Sequence, residues 1–189
     1  KEGGGASGAT GSRLLSGTSD AHLALEQELA EFYDAPAALV FNSGYQVNVG
    51  VCATLPERGD TVLYDELCHA SLRDGIRLSF AAAYSFRHND LADLRKKATR
   101  ARGQLFVVME SIYSMDGDAP PLEEVLHVVQ ELGAVLIIDE AHAGAVCGSH
   151  GEGLVACAPN VVKIVTFGKG FGAHGAAVLS SHNVRDFLV

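Results

Sequence analysis

The chain has 189 residues, of which 48% are hydrophobic and 20% are charged, as expected for a globular domain with one core. The formal net charge of −9 argues against general nucleic-acid binding, which requires a basic face. No apolar run reaches the roughly 18 residues that a membrane-spanning helix requires, and the four cysteines lack C-x-x-C spacing. We therefore expect a cytoplasmic protein with free thiols and with no nucleic-acid or membrane partner.

Predicted strands and helices alternate along the chain. The Gly- and Ser-rich residues 1–19 predict a loop, and Ser19 or Asp20 is suited to cap the first helix. Short apolar runs predict seven strands, at residues 37–41, 61–64, 83–86, 104–109, 134–139, 162–166 and 176–180. The other helices are predicted from the turn at 42–45 to about 54, at 69–79, 91–102 and 122–132, and from 182 onward.

This order predicts an α/β fold. Several of the strands are apolar throughout, which is typical of a largely parallel sheet with helices on both faces. The chain starts at Lys1 and stops at Val189 within a predicted helix. We therefore expect residues 1–189 to form one domain of a longer protein.

Candidate ligand-binding residues follow the predicted strands, where open α/β sheets bind their ligands. Ser43, Gly44 and Tyr45 join a strand to a helix, and the free N–H groups of such a helix start are suited to a phosphate group. A plain strand-to-helix turn uses the same residues, so this signal alone is weak.

Lys169 and Asp139 together indicate a cofactor. Lys169 lies between Gly168 and Gly170 and supplies an amine for a Schiff base, while Asp139 follows the apolar run 134–138 and supplies a carboxylate. An amine and a carboxylate of this kind are two parts of a pyridoxal phosphate (PLP) site, in which the carboxylate pairs with the pyridinium nitrogen. Taken singly, Asp139 could cap a turn and Lys169 could be a solvated surface lysine.

Other polar residues allow more than one interpretation. His69 could stack on a flat ring or cap the helix that follows it, and Ser114 could donate a hydrogen bond from its loop. We expect the segment His88–Asp90 to cap the next helix. His69, Asp139 and His142 could also bind a metal, but no H-E-x-x-H spacing is present. Nor do the glycines around Lys169 match a nucleotide-binding loop.

The same motifs occur in this order in a known family. The chain resembles the α-oxoamine synthases, PLP enzymes of fold type I. The resemblance runs nearly end to end, through the segments 11–17, 22–26, 41–45, 69–75, 88–90, 114–117, 139–142 and 166–169. It implies the large, PLP-binding domain of the aspartate aminotransferase-like fold.

The resemblance also implies residue roles. Lys169 would form the Schiff base and then move the α-proton of the substrate, and Asp139 would pair with the pyridine nitrogen. His142 and Ser114 would hydrogen-bond near the ring hydroxyl, and His69 would stack on the ring and help the acyl transfer or the decarboxylation. Gly44, Tyr45 and Thr166 would lie around the cofactor. Glu110 would support the site without contacting the cofactor.

The implied reaction joins an amino acid to an acyl-CoA with loss of carbon dioxide, in a homodimer. The residues around Lys169 are most similar to those of the branch that makes 8-amino-7-oxononanoate from L-alanine and pimeloyl-CoA in biotin biosynthesis. A branch that acylates serine or glycine is the alternative, as is a fragment without activity. The N-terminal segment and the C-terminal small domain of the family pattern, which carry substrate-binding arginines, are absent from these residues.

Overall fold

The computed structural model describes residues 8–189. Seven strands form one sheet in the order β1-β7-β6-β5-β4-β2-β3. The strands are β1 (Ala37–Phe41), β2 (Thr61–Asp65), β3 (Ala82–Phe86), β4 (Leu105–Glu110), β5 (Val135–Asp139), β6 (Val161–Thr166) and β7 (Ala176–Ser180). Only β7 runs antiparallel to its neighbours β1 and β6, and the other pairings are parallel.

Six α-helices cover the two faces of this sheet. They are α1 (Asp20–Phe32), α2 (Gly44–Thr54), α3 (Ala70–Leu78), α4 (Leu91–Ala98), α5 (Leu122–Glu131) and α6 (His182–Leu188). Helices α2, α3 and α6 pack on one face, with α4 and α5 on the other. The expected α/β fold with a largely parallel, doubly covered sheet is confirmed. None of the helices in residues 8–189 is long and apolar enough to cross a membrane.

The apolar strands follow from burial on both faces. Along β4, Phe106 and Val108 belong to the core beneath α2 and α3, whereas Leu105, Val107 and Met109 belong to the core beneath α4 and α5. Side chains alternate between the faces of a sheet, so a strand covered on both faces must be apolar at every position.

Most predicted boundaries hold to within one residue, but two features differ more from the sequence prediction. Helix α4 ends at Ala98 instead of residue 102, because the Thr61 hydroxyl bonds both the N–H and the carbonyl of Arg102 and draws the chain out of the helix. Within the predicted N-terminal loop, Arg13–Gly17 forms one π-helical turn, in which the N–H of Gly17 donates to the Ser12 carbonyl over 2.8 Å. Residues 1–7 of that predicted loop lie outside the described residues. Ser19, one of the two candidates, caps α1.

A buried ion pair fixes the long loop after β5. Lys163 on β6 is 2% exposed, and its Nζ lies 2.7 Å from Oε2 of Glu140, which is fully buried. The same ammonium donates to the carbonyls of Glu152 and Val155 over 2.6 and 2.8 Å. The Glu140 carboxylate in turn accepts the N–H of Leu154 over 2.8 Å. The loop that begins beside Asp139 is therefore held to the sheet by charge.

Breaking this pair from one side should be costly. Lys163→Met leaves the Glu140 carboxylate buried without a counter-charge, and we expect a loss of about 4 kcal/mol in the free energy of unfolding, measured with urea. The double variant Lys163→Met/Glu140→Gln removes both charges and keeps an acceptor for Leu154, so it should be more stable than the single variant. Equal or lower stability of the double variant would contradict a charge-based role.

Candidate active site

The candidate site lies where the parallel strands end. Strand β4 ends at Glu110, which pairs in register with Asp139 at the end of β5, and Asp139 is paired in turn with Ile164 near the end of β6. The turn after β6 carries Lys169, and the start of α2 lies beside that strand end. The sheet thus gathers residues that are distant in sequence at one edge, as open α/β sheets do.

The Asp139 carboxylate is buried and held from two sides. Its Oδ2 accepts a hydrogen bond of 2.7 Å from Asn48 Nδ2, and its Oδ1 accepts the backbone N–H of Ala141 over 2.8 Å. Asp139 is 5% exposed. A carboxylate held in one orientation at a sheet edge suits a partner that carries a positive charge. The bond from Ala141 also shows that Asp139 serves the turn that follows it, so the turn and ligand interpretations are compatible.

Lys169 and His142 are in direct contact. Nζ of Lys169 lies 2.6 Å from Nε2 of His142. Burial lowers the pKa of the His142 imidazole, and the nearby Lys169 charge lowers it further. The ring is therefore neutral near pH 7, and its unprotonated Nε2 accepts a hydrogen bond from the lysine ammonium. Lys169 itself lies on an exposed turn.

The turn that carries Lys169 is shaped by its backbone. Phe167 donates its N–H to the Gly175 carbonyl over 2.9 Å, which closes the turn between β6 and β7. Gly172 donates to the Lys169 carbonyl over 3.0 Å and has a φ of 63°, a left-handed conformation that glycine adopts without strain.

Helix α2 begins next to this turn. Ser43 caps the helix by accepting the N–H of Gln46 over 3.3 Å. A Cβ atom on Gly44 would lie 3.4 Å from Cβ of Thr166, so the helix start packs directly against the end of β6. This contact brings the predicted phosphate-binding turn and the predicted Thr166 position together.

His69 caps helix α3. Its Nδ1 accepts the backbone N–H of Ser71 over 3.2 Å, and its own N–H donates to Oε1 of Glu110 over 2.6 Å. The helix-capping interpretation of His69 is therefore confirmed, while its predicted stacking on a ring remains a prediction. Because Glu110 holds the backbone of His69, the predicted supporting role of Glu110 has a definite contact.

Two predicted residues lie further out. Ser114 is exposed in the loop after β4, and Tyr45 is exposed with its hydroxyl 3.0 Å from Oδ2 of Asp74. Among residues 8–189, no hydrogen bond joins Ser114 or Tyr45 to Lys169, Asp139 or His142. The same part of the chain contains no cluster of three or more His, Cys, Asp or Glu side chains that could hold a metal.

The segment His88–Asp90 supports the neighbouring loop. Asp90 caps α4 as predicted, accepting the N–H of Asp93 over 2.8 Å. His88 lies between two carboxylates, 2.9 Å from Asp65 and 2.8 Å from Asp118. Burial opposes a charge on His88, but the hydrogen bonds to both carboxylates outweigh it and raise the pKa of the ring. The loop that carries Ser114 is thus tied to the end of β2.

Sequence reasoning missed two residues of the site. Asn48 bonds Asp139, and its Nδ2 also donates to Oγ of Ser71 over 2.9 Å. Asn48 stands between Val47 and Val49 in a helix of mostly apolar residues, and a polar side chain in such a setting is a signal for a buried hydrogen-bonding partner. Ser71 carries no comparable signal.

The residues present fit pyridoxal phosphate by their chemistry. An amine on an open turn suits the aldehyde, a buried and oriented carboxylate suits the ring nitrogen, and the start of α2 suits the phosphate. The neutral His142 ring beside the amine and the His69 ring at the start of α3 complete the set.

Comparison with known proteins agrees with this fit. A family described as aminotransferase class I and II matches residues 2–189. The chain belongs to this family. The serine palmitoyltransferase of Caulobacter vibrioides is 46% identical to it over 188 residues, covering 96% of this chain and 46% of that protein. The 8-amino-7-oxononanoate synthase of Salmonella paratyphi C is 44% identical over 187 residues, covering 96% of this chain and 48% of that protein.

Solved structures of such enzymes share the fold. Serine palmitoyltransferase of Sphingomonas wittichii matches with a TM-score of 0.88 at 38% identity, over 96% of this chain and 47% of that one. A variant of the same enzyme from S. paucimobilis, with bound PLP and myriocin, matches with a TM-score of 0.87 at 35% identity, over 96% and 47%. The Francisella tularensis 8-amino-7-oxononanoate synthase matches with a TM-score of 0.77 at 28% identity, over 90% of this chain and 51% of that one.

These findings confirm the predicted family, since both kinds of relative are α-oxoamine synthases. They also confirm PLP as the cofactor of the family, because solved relatives contain it. The chain spans about half the length of the curated relatives it matches.

Glu110 should make the stability of the cofactor-free protein depend on pH. Burial raises the pKa of its carboxyl from 4.5 to about 7, and the Asp139 carboxylate adds to the rise. The folded state therefore holds this proton more tightly than the unfolded chain, and Glu110 lowers stability as the pH rises from about 4.5 to 7. Glu110→Gln removes this effect and still accepts the N–H of His69.

The free energy of unfolding of Glu110→Gln, relative to that of the wild type, should therefore rise by roughly 3 kcal/mol between about pH 4.5 and pH 8. Urea unfolding across this range measures it, with the exposed Glu124→Gln as the control. A difference between variant and wild type that stays constant with pH would contradict the prediction.

Proposed function

We propose that the protein uses PLP to condense an amino acid with an acyl-CoA, releasing CoA and carbon dioxide. The observation that carries this proposal is the Lys169 amine, 2.6 Å from the neutral His142 ring. This amine lies at the sheet edge where β5 ends in the buried Asp139. The chain is 46% and 44% identical to two α-oxoamine synthases. When bound, PLP supplies an aldehyde for amines and a cationic ring that accepts electrons from a breaking bond.

Lys169 has the central proposed role. Glycines on both sides leave its backbone open to a bulky ligand, and the exposed turn lets its amine reach an aldehyde carbon. His142 orients that amine by accepting its hydrogen bond at Nε2. With the substrate bound, Lys169 Nζ would take the proton from the α-carbon of the amino acid.

Asp139 provides the opposing charge. Asn48 and Ala141 fix its two oxygens, so its negative charge is available to a pyridine nitrogen without rearrangement of the carboxylate. A fixed carboxylate beside that nitrogen would keep it protonated, so that the ring remains an effective acceptor of electrons. Helix α2 would bind the phosphate with the N–H groups after Ser43, next to Gly44 and Thr166.

The remaining predicted residues are proposed to complete the site. His69 would stack on the ring and assist the acyl transfer, Ser114 would bond near the ring hydroxyl, and Tyr45 would lie beside the cofactor. We also propose a cytoplasmic homodimer, as the family resemblance implies.

For substrates, we propose L-alanine and pimeloyl-CoA, which would give 8-amino-7-oxononanoate for biotin biosynthesis. The sequence around Lys169 and the 44% identity to the Salmonella synthase support this choice. The second candidate is the acylation of serine, supported by 46% identity to a serine palmitoyltransferase and by the higher TM-scores of such enzymes. Glycine as the amino acid and a fragment without activity are further alternatives.

Lys169→Ala should abolish catalysis. We expect a loss of at least about 10³-fold in turnover, because the variant lacks both the amine that binds the aldehyde and the base. The long-wavelength absorbance that PLP acquires on linkage to a lysine should also be absent. Lys96→Ala, on the exposed face of α4, is the matched control and should keep both properties. Turnover of Lys169→Ala at the wild-type rate would refute the assignment.

The substrate pair is decided by a direct comparison. Alanine, serine and glycine are each supplied with pimeloyl-CoA or palmitoyl-CoA, and release of free CoA is measured. We expect kcat/KM to be highest for alanine with pimeloyl-CoA, by at least about tenfold. One pocket rarely accepts two acyl chains whose ends differ as much as those of pimeloyl-CoA and palmitoyl-CoA equally well. A preference for serine with palmitoyl-CoA would establish the second candidate. PLP binding without CoA release from any pair would favour the inactive alternative.

A further inference from the structure

Three hydrogen bonds connect Asp139 to His69 through the side chains of Asn48 and Ser71, and the proposed chemistry uses only the first of them, from Asn48 to Asp139. Asn48 Nδ2 donates to Asp139 Oδ2 over 2.7 Å and to Ser71 Oγ over 2.9 Å. Ser71 Oγ lies 2.7 Å from Nδ1 of His69. Asn48 and Ser71 are 3% and 1% exposed, so both links are shielded from water. The chain of bonds therefore joins the two proposed neighbours of the cofactor ring through the protein interior.

The direction of each bond follows from the carboxylate. An ionised Asp139 only accepts hydrogen bonds, so the NH₂ group of Asn48 must face it. The reversed amide would place two acceptor oxygens 2.7 Å apart. The NH₂ group has two hydrogens, and its second donates to Ser71 Oγ. Within residues 8–189 the buried carbonyl oxygen of Asn48 accepts no hydrogen bond, so this side chain contributes to the network as a donor.

The same reasoning fixes the proton on His69. The backbone N–H of Ser71 points to Nδ1 of His69 over 3.2 Å, so Nδ1 is an acceptor. Ser71 Oγ lies 2.7 Å from the same nitrogen and can therefore only donate its hydrogen to it, while a lone pair accepts from Asn48. A ring nitrogen that receives two donors carries no proton, so the neutral imidazole is protonated on Nε2.

We infer that Asn48 and Ser71 are positioning residues that transmit the orientation of Asp139 to His69 and hold its ring as the Nε2–H tautomer. This inference rests on the proposed function, in which His69 takes part in the acyl transfer. The tautomer leaves a donor at Nε2, which can bond a carbonyl or carboxylate oxygen of the substrate. Fixing a histidine through a bond to its other nitrogen is the usual way that proteins select which nitrogen acts.

The decisive variant reverses the bonds without changing shape. Asn48→Asp replaces the double donor by a carboxyl group. At 2.7 Å from Asp139 the two carboxyl groups share one proton, and the other oxygen of residue 48 is an acceptor, so the Ser71 hydrogen should turn towards residue 48 and leave Nδ1 of His69. Nitrogen-15 NMR of histidine-labelled, cofactor-free protein reports the protonated nitrogen, with the His69 signal assigned by its loss in His69→Gln. We expect one Nε2–H tautomer in wild type and a mixture, or the Nδ1–H form, in Asn48→Asp.

Kinetics provide the second readout. In the PLP-loaded protein, Asn48→Asp should lower kcat per active site by about tenfold to a hundredfold, with a much smaller change in KM for the amino acid. Val51→Ala removes buried methyl groups from the same helix and does not touch the bonded chain. It controls for general destabilisation, and its tautomer and kcat should match wild type.

Ser71→Ala decides the matter if Asn48→Asp does not fold. Removing one hydroxyl should again raise the Nδ1–H fraction, and Ser71→Thr, which restores a hydroxyl, should reverse the change. An unchanged tautomer would overturn the inference, and so would a changed tautomer with wild-type kcat. Because the NMR measurement uses cofactor-free protein, it remains informative even if Lys169→Ala disproves the proposed PLP chemistry.

Discussion

The site depends on a row of buried carboxylates at one edge of the sheet. Strands β2, β4 and β5 each end in an acidic residue, namely Asp65, Glu110 and Asp139, which are 0%, 3% and 5% exposed. Parallel strands must end at a common edge, so the topology alone brings these charges together. A buried charge is tolerated only with a partner, and hydrogen bonds from other parts of the molecule supply such partners to these three carboxylates.

Each carboxylate has a different partner, and each partner brings in another part of the molecule. Asp65 holds His88 and thereby the loop of Ser114, Glu110 holds the backbone of His69, and Asp139 holds Asn48 of α2. Burial is the main cause of the raised pKa of the Glu110 carboxyl, and the nearby Asp139 carboxylate adds to the rise. Such an edge would suit a ligand with a cationic ring, and under the proposed function the anion of that ligand would lie at the start of α2.

Much of the fold could be read from the sequence, because apolar runs and turn residues agree with the tertiary contacts. All seven strands and six α-helices lie where they were predicted. The end of α4 could not be predicted, since it depends on Thr61, a residue far away in sequence that binds Arg102. Local patterns do not contain such contacts.

The candidate site, like the fold, could be predicted from the sequence only in part. Lys169, Asp139 and His142 were predicted because they follow strands, and strand ends are visible in the sequence. Asn48 and Ser71 lie inside helices. The apolar neighbours of Asn48 indicate a buried polar contact, whereas Ser71 carries no such signal. Their partners meet only after α2 and α3 pack together over the ends of β4 and β5, so only the folded structure could identify them.

The pairing of β1 with β7 has a consequence for biosynthesis. Strand β1 lies near the start of the chain, yet its only strand neighbour within the described residues is β7, near the other end. While the ribosome is still translating the residues between β1 and β7, β1 and the helix that packs on it have no partner strand to join. Contacts this distant in sequence close late and slow the search for the native state. The nascent polypeptide therefore exposes an unpaired β1 until β7 has been synthesised, which is the period in which chaperones protect such segments.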